Sequence, residues 1–140
     1  MCAGGRTTGV VLDSGFGNSH SVRIFEGYAI PSGIERINIS GEHLTAEMQK
    51  LLNSRGQSGA VNARDVVKKT FTTPAEYEQL RMMKESMTYC VENFEHALAE
   101  SRESKACEKA YSLPDGSKII LGKERFSCPE ILFQPQLSGR

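Results

Sequence analysis

Apolar and polar positions alternate along the first third of the chain and step with a helical period along the middle. TGVVL (8–12) is β-branched and apolar and runs into the glycine loop DSGFGNSH (13–20), the pattern of a buried strand ending in a turn. SHSVRIFEG (19–27) alternates, with Val22, Ile24 and Glu26 on one side and Ser21, Arg23 and Phe25 on the other. These two segments predict a hairpin whose turn is the glycine loop. EGYAIP (26–31) and IERINISG (34–41) predict two further short strands; in the second, Ile34, Ile37 and Ile39 interleave with Glu35, Asn38 and Ser40. The first third reads as a small sheet.

A helical period follows. Ser40 is placed to cap a helix, and Glu42 falls in its first turn, where an acid suits the helix dipole. Leu44, Met48, Leu51 and Leu52 form one apolar stripe, and Gly56 is the expected stop. TTPAE (72–76) is the clearest helix start: Thr73 caps, Pro74 fits the first helical position, and Glu76 completes a capping box. Leu80, Met83, Met87, Val91, Phe94 and Leu98 then recur every three or four residues, which predicts one long helix or two collinear ones packed on the sheet. ESRESKACEK (100–109) reads as a polar loop. KAYSLPDGSKIILG (109–122) reads as a hairpin around Pro114-Asp115-Gly116. KERFSCPEILFQPQL (123–137) predicts a short helix and an apolar segment bounded by Pro129 and Pro135.

Composition narrows the function classes. The 140 residues fit one domain with a moderate core, too little for two large lobes around a cleft. Seventeen basic residues balance 17 acidic ones, so no global field favours nucleic acid or an anionic membrane. No apolar run reaches the length of a spanning helix, and the first residues, MCAGGRTTG, lack the charged and apolar regions of a signal peptide. Cys2, Cys90, Cys107 and Cys128 form no metal-binding spacing and are expected as free thiols in a reducing cytosol. QSGAVNARDVVKKT (57–70) has no clean period. With Arg55, Arg64, Lys68 and Lys69 against Asp65 it makes a local basic patch, read as a solvated loop or a short surface helix.

Two places carry candidate chemistry. In the opening loop, Gly15 and Gly17 permit positive φ and close backbone approach, and successive N–H groups there can form an anion nest. Asp13 can hold a divalent cation through water, and His20 lies within reach of the same anion. Spacing alone equally describes an ordinary tight turn. On the long helical stretch, Arg81 and Glu85 are i, i+4 neighbours with Lys84 beside them, a pattern that on its own describes a solvent-facing ion pair. His43, near a helix start, is expected to be exposed.

The order of these motifs resembles the actin family, over Gly5 to Gly139. GRTTGVVLDSGFGNSHSVRIFEGYAIPSGIERINISGEHLT is similar to the family's second phosphate hairpin and the strands after it. AEYEQLRMMKESMTYCVENFE is similar to its nucleotide-contacting helix, and KAYSLPDGSKIILGKERFSCPEILFQPQLSG to the hairpin and helix that follow. The resemblance implies an α/β fold, half of an actin-like (ribonuclease H-like) ATPase, with a small mixed sheet and packed helices. It implies one partial actin-like domain over 1–140, with a helical extension across 42–85 that includes the basic insertion near 57–70.

It also implies roles. Asp13 matches the metal-site aspartate, acting through water. Ser14, Gly15, Gly17 and Asn18 occupy the phosphate hairpin, and His20 matches the catalytic histidine that helps organise the attacking water. Gly41 sits in the ribose-side turn, and Arg81, Lys84 and Glu85 match side chains around ribose and adenine. The implied cofactor is ATP or ADP with Mg or Ca. The implied partners are actin, further copies of the chain and actin-binding proteins, with neither nucleic acid nor membrane, in the cytoplasm and cytoskeleton.

Three departures bear on activity. Phe16 stands where the family has an aspartate between the hairpin glycines. The stretch between Gly56 and Thr72 is about a dozen residues longer than the resemblance leads one to expect. The first phosphate hairpin, the lobe completing the cleft and the glycine-rich turn over adenine have no counterpart in the sequence. With one wall, preorganised groups on both sides of the phosphates are lacking, and efficient hydrolysis is not expected.

Overall fold

The computed structural model describes residues 4–57 and 70–139. The chain forms two compact units, Met1–His43 and Leu44–Arg140. The first holds an antiparallel sheet of order β1-β2-β3, from β1 (Gly9–Ser14), β2 (Ser19–Phe25) and β3 (Tyr28–Ile37). β1 and β2 are the expected hairpin, in a register that sets Asp13 opposite His20 and Ser14 opposite Ser19.

Beyond β2 the chain turns through Glu26 and Gly27, with Phe25 opposite Tyr28. Both turn residues have positive φ, 47° and 85°, the signature of a two-residue hairpin turn. β3 is therefore one ten-residue strand, not two short ones. It tolerates Pro31 because it lies on the sheet edge, next to a register shift between Val22 and Ile24. Gly33 is buried under the Arg23 stem: a Cβ there would lie 2.8 Å from Arg23 Cδ and 2.9 Å from its Cβ.

The burial expected of β1 is not found. Val10 is 66% exposed and Leu12 70%. A β-branched run signals a strand that can be covered on both faces, but within the first unit the three strands supply no second layer.

Helix α1 (Gly41–Gln57) begins at the end of the first unit and runs through Gly56. Met48 and Leu52 of the expected stripe are buried, and Leu44 and Leu51 pack against the same cluster. That cluster also takes Phe71 and Leu80, Met83 and Met87 of α2 (Pro74–Met87). α1 fixes Phe71 by polar contacts too: Gln49 Nε2 donates to its carbonyl at 2.8 Å, and its N–H donates to Asn53 Oδ1 at 3.2 Å.

The capping box at the start of α2 is complete. Glu76 N–H donates to Thr73 Oγ1 at 3.3 Å, and Thr73 N–H donates to Glu76 Oε2 at 2.9 Å. Thr73→Ala is expected to cost about 1 kcal/mol of stability, read as a lower urea midpoint with an unchanged m-value.

Of the two arrangements expected, one long helix or two, the chain forms two. Thr88 is extended and ends α2; Asn93 caps α3 (Phe94–Glu103), accepting from His96 N–H at 3.0 Å. Thr88-Tyr89-Cys90-Val91 are weak helix formers, and the Asn93 side chain offers the backbone a competing arrangement. α3 also reaches into the stretch read as a polar loop; it has no buried residue, so no apolar stripe was needed there. The second hairpin is as expected, β4 (Lys109–Ser112) paired with β5 (Lys118–Leu121). Its turn is closed by Gly116 at φ 82° and by Asp115 Oδ1, which accepts from Ser117 N–H at 2.9 Å. α4 (Glu124–Glu130) and a 3-10 turn (Pro135–Ser138) complete the described chain.

Candidate functional site

In the first unit the site is the tip of the β1–β2 hairpin. Asp13 Oδ2 lies 3.9 Å from His20 Nε2, with side chains 66% and 40% exposed. This is an open acid–histidine pair, attractive only while the imidazole is protonated. Ser19 is buried and its hydroxyl donates to the Ile39 carbonyl at 2.7 Å. A hydroxyl carries one proton, so Ser14 is the donor in its 2.7 Å contact with Ser19. The relay ties the hairpin base to the segment before α1.

The tip is also tied to the start of α1. Gly41 N–H donates to the Gly15 carbonyl at 3.0 Å, and Glu42 N–H to the Phe16 carbonyl at 2.8 Å. Two of the donors that a helix start leaves without an intrahelical partner are thus satisfied by the loop. Gly41 is the first residue of α1. Ser40 is fully buried just before it, and its hydroxyl meets His43 Nδ1 at 2.9 Å. His43 is half-buried, not exposed as its position suggested.

The glycines behave differently from expectation. Neither Gly15 nor Gly17 has positive φ. A Cβ at Gly17 would meet nothing within 4 Å, and one at Gly15 only the Asn18 carbonyl at 3.6 Å. The turn itself therefore does not demand glycine, and open space lies over the backbone. Gly15 N–H is used internally, donating to Asn18 O at 2.9 Å. Among the described residues the amides of Phe16 and Gly17 have no acceptor. Phe16 itself is 52% exposed.

In the second unit, α2 separates the three residues that sequence placed together. Arg81 Nε donates to Glu78 Oε2 at 2.9 Å, and Arg81 Nη1 to Glu85 Oε1 at 3.2 Å, all on an exposed face. The hydrogen bond from Arg81 holds the Glu78 carboxyl below its ordinary value, and Glu78 in turn raises the guanidinium. Glu78 escaped the sequence reading, although its i, i+3 spacing to Arg81 was available. Lys84 points the other way. It is 7% exposed, and its ammonium donates to the buried Thr45 hydroxyl at 3.1 Å.

Cys128 lies close to this buried pair, its thiol donating to the Leu44 carbonyl at 3.2 Å. Burial pushes the thiol up to about 12, with Lys84 opposing and Glu47 adding to the rise. The folded state keeps this proton above the pH at which an unfolded thiol loses it. Its contribution to stability is therefore complete below about pH 9 and falls as pH rises towards 12. A thiol reagent at neutral pH is expected to label exposed Cys90 quickly and Cys128 only at the rate of unfolding, read by mass spectrometry.

Other chemistry is sparse. Among the described residues no group of three His, Cys, Asp or Glu side chains could hold a metal ion. No helix of the described chain is long and apolar enough to cross a membrane. A pocket of about 300 Å³ between Tyr89, Ala97, Cys107 and Phe126 includes none of the candidate residues. Residues 58–69, most of the basic insertion, lie outside the described residues.

A mixed α/β chain with a glycine hairpin docked on a helix start is thus what the sequence builds. The chain matches the actin family over residues 2–140, and it belongs to that family. It is similar to an actin-like protein of Neurospora crassa, at 43% identity over 144 residues, covering 99% of this chain. The chain spans 34% of the length of that relative.

Proposed function

We propose that this chain is an actin-like cytoskeletal protein of the cytoplasm that keeps one wall of a nucleotide cleft. It works through contacts with actin, with its own copies or with actin-binding proteins, and not through efficient hydrolysis. The observation that carries this reading is Phe16. It sits at the exposed hairpin tip, between the two glycines, where the family has an aspartate. A phenyl ring accepts no hydrogen bond and cannot hold cation water, so of the two acids the resemblance leads one to expect at the tip only Asp13 remains.

The remaining residues suit ATP or ADP with Mg or Ca, held weakly. The open backbone at Gly15 and Gly17 and the amides of Phe16 and Gly17 suit an anion. Ser14 and Asn18 flank that loop. The lone carboxylate of Asp13 suits a hydrated cation held through water, not a directly ligated one. Such a cation would offset phosphate charge. In this reading His20 retains the water-orienting position, and Gly41, Arg81, Lys84 and Glu85 retain the ribose and adenine positions. Arg81 and Glu85 would have to exchange their mutual contact for ligand, and Lys84 would have to leave Thr45.

A second reading, a portion of an ATP-binding and ATP-hydrolysing filament-forming actin, draws support from the retained Asp13–His20 pair. Calorimetric titration with Mg-ATP separates the two. Binding is expected to be undetectable or very weak, and micromolar affinity would overturn the first reading. Phe16→Asp is expected to raise affinity by about tenfold, roughly 1.4 kcal/mol. Co-sedimentation tests the contacts: a chain that neither binds filaments, nor alters their assembly, nor associates with itself removes the proposal.

A further inference from the structure

The hairpin tip is held from behind. Gly15 and Phe16 each give a carbonyl to the start of α1: Gly41 N–H donates to the first at 3.0 Å and Glu42 N–H to the second at 2.8 Å. The peptide units that follow these carbonyls are trans. Within a trans unit the C=O of one residue and the N–H of the next point in opposite directions. Holding Gly15 O towards α1 therefore turns Phe16 N–H away from it, and holding Phe16 O turns Gly17 N–H away as well. Two successive amides thus face the side opposite the helix start.

The side chains at the hairpin base divide in a related way. Residues directly opposite in paired strands share a face, and successive residues alternate. Ser14 and Ser19 are one pair and Asp13 and His20 the next, so the two pairs lie on opposite faces of the hairpin. Ser19 is buried, and its hydroxyl donates to the Ile39 carbonyl and accepts from Ser14, both at 2.7 Å. Asp13 and His20 therefore lie on the face away from the segment that leads into α1.

We propose that α1 aims the anion site of this chain and that Ser19 is a positioning residue for it, the ligand being a polyphosphate. This rests on the reading of the tip as an anion site given above and says what orients it. The first amides of a helix carry the positive end of its dipole. Here they act through one peptide unit each, because a hydrogen bond to a carbonyl polarises the amide beyond it. Ser19 ties the hairpin base to Ile39, two residues before Gly41, and so keeps the two tip carbonyls in register with their two donors. The Ser14 proton is committed to Ser19. Ser14 thus serves the anion through this relay and not by donating to it.

Titration of the isotope-labelled full chain with pyrophosphate at constant ionic strength, followed by NMR, tests this. The amides of Phe16 and Gly17 are expected to shift most. The Gly41 and Glu42 amides are turned towards the loop carbonyls and not the anion, yet bound pyrophosphate is expected to slow their hydrogen exchange at least about fivefold, because coupling between sites is reciprocal. Ser19→Ala is expected to weaken pyrophosphate binding about tenfold, and Ser19→Thr, which keeps the hydroxyl, to restore it. If Ser19→Ala fails to fold, the exchange measurement on the parent chain decides alone. Tip amides that shift while exchange at Gly41 and Glu42 stays unchanged overturn the role of α1 and leave the anion reading standing. Equal affinity of Ser19→Ala and the parent overturns the role of Ser19. Tip amides that pyrophosphate does not shift overturn the anion reading itself, and the role of α1 with it.

Discussion

Phe126→Ala is expected to destabilise the second unit by about 3–5 kcal/mol. Phe126 is 1% exposed and packs its ring against Tyr89 at 6.2 Å and edge-on against Phe94 at 6.0 Å. It lies on α4, a helix of seven residues, too short to persist without tertiary contacts. Losing the ring removes apolar burial and two aromatic contacts together, and leaves α4 without its main anchor to the α2–α3 connection. Domains of this size are stable by only about 5–15 kcal/mol, so the variant should approach half-unfolding under mild conditions. Urea unfolding followed by circular dichroism checks this. Phe126→Leu should recover part of the loss, since it restores volume but not ring geometry.

Arg125→Ala is expected to cost about 2–4 kcal/mol. Its guanidinium reaches two main-chain carbonyls far apart in sequence, Met87 O from Nε at 2.9 Å and Cys107 O from Nη1 at 2.7 Å. It also lies 4.8 Å from the Tyr89 ring centroid. One planar group thus joins the end of α2, the approach to β4 and α4. Truncation leaves two half-buried carbonyls without their charged donor and removes the stacked contact. Arg125→Lys should restore less than half, because an ammonium lacks the fork that meets both carbonyls while covering the ring. The same unfolding titration reads both variants, and equal stability of the Lys variant and the parent would show that charge alone suffices.

Neither of these residues stood out in the sequence. ERFSCPE reads as a short helix, and nothing local says that Arg125 turns back to bind carbonyls on two other segments. The opposite holds for Thr73 and Glu76, whose contact is three residues long and follows from local geometry. The site divides in the same way. The hairpin, its glycines, Asp13 and His20 were legible because a turn between two paired strands is a local object, and the register sets Asp13 opposite His20. That the tip carbonyls of Gly15 and Phe16 receive the first amides of α1 was not legible, because about two dozen residues intervene.

On α2 the order of charges suggested one cluster, yet Lys84 departs from Arg81 and Glu85. On a helix, residues i and i+3 or i+4 share a face only loosely. A long lysine stem between Met83 and Met87 is drawn inward with them when a buried hydroxyl, Thr45, waits at its end. The exposure of β1 departs from its apolar pattern for a related reason. Apolar content tells what a strand can bury, while whether anything covers it depends on elements outside the strand.

By itself, then, the sequence determined the local elements: two hairpins, the capped start of α2, the apolar stripes and the actin-family order of motifs. Each depends on backbone preference or on side chains within one or two turns of each other. Only the tertiary structure decided where α2 ends and α3 begins, that β3 is a single strand, that Lys84 is buried, and that Val10 and Leu12 of β1 are exposed. Those outcomes are set by contacts between residues tens of positions apart, whose energies no local pattern contains.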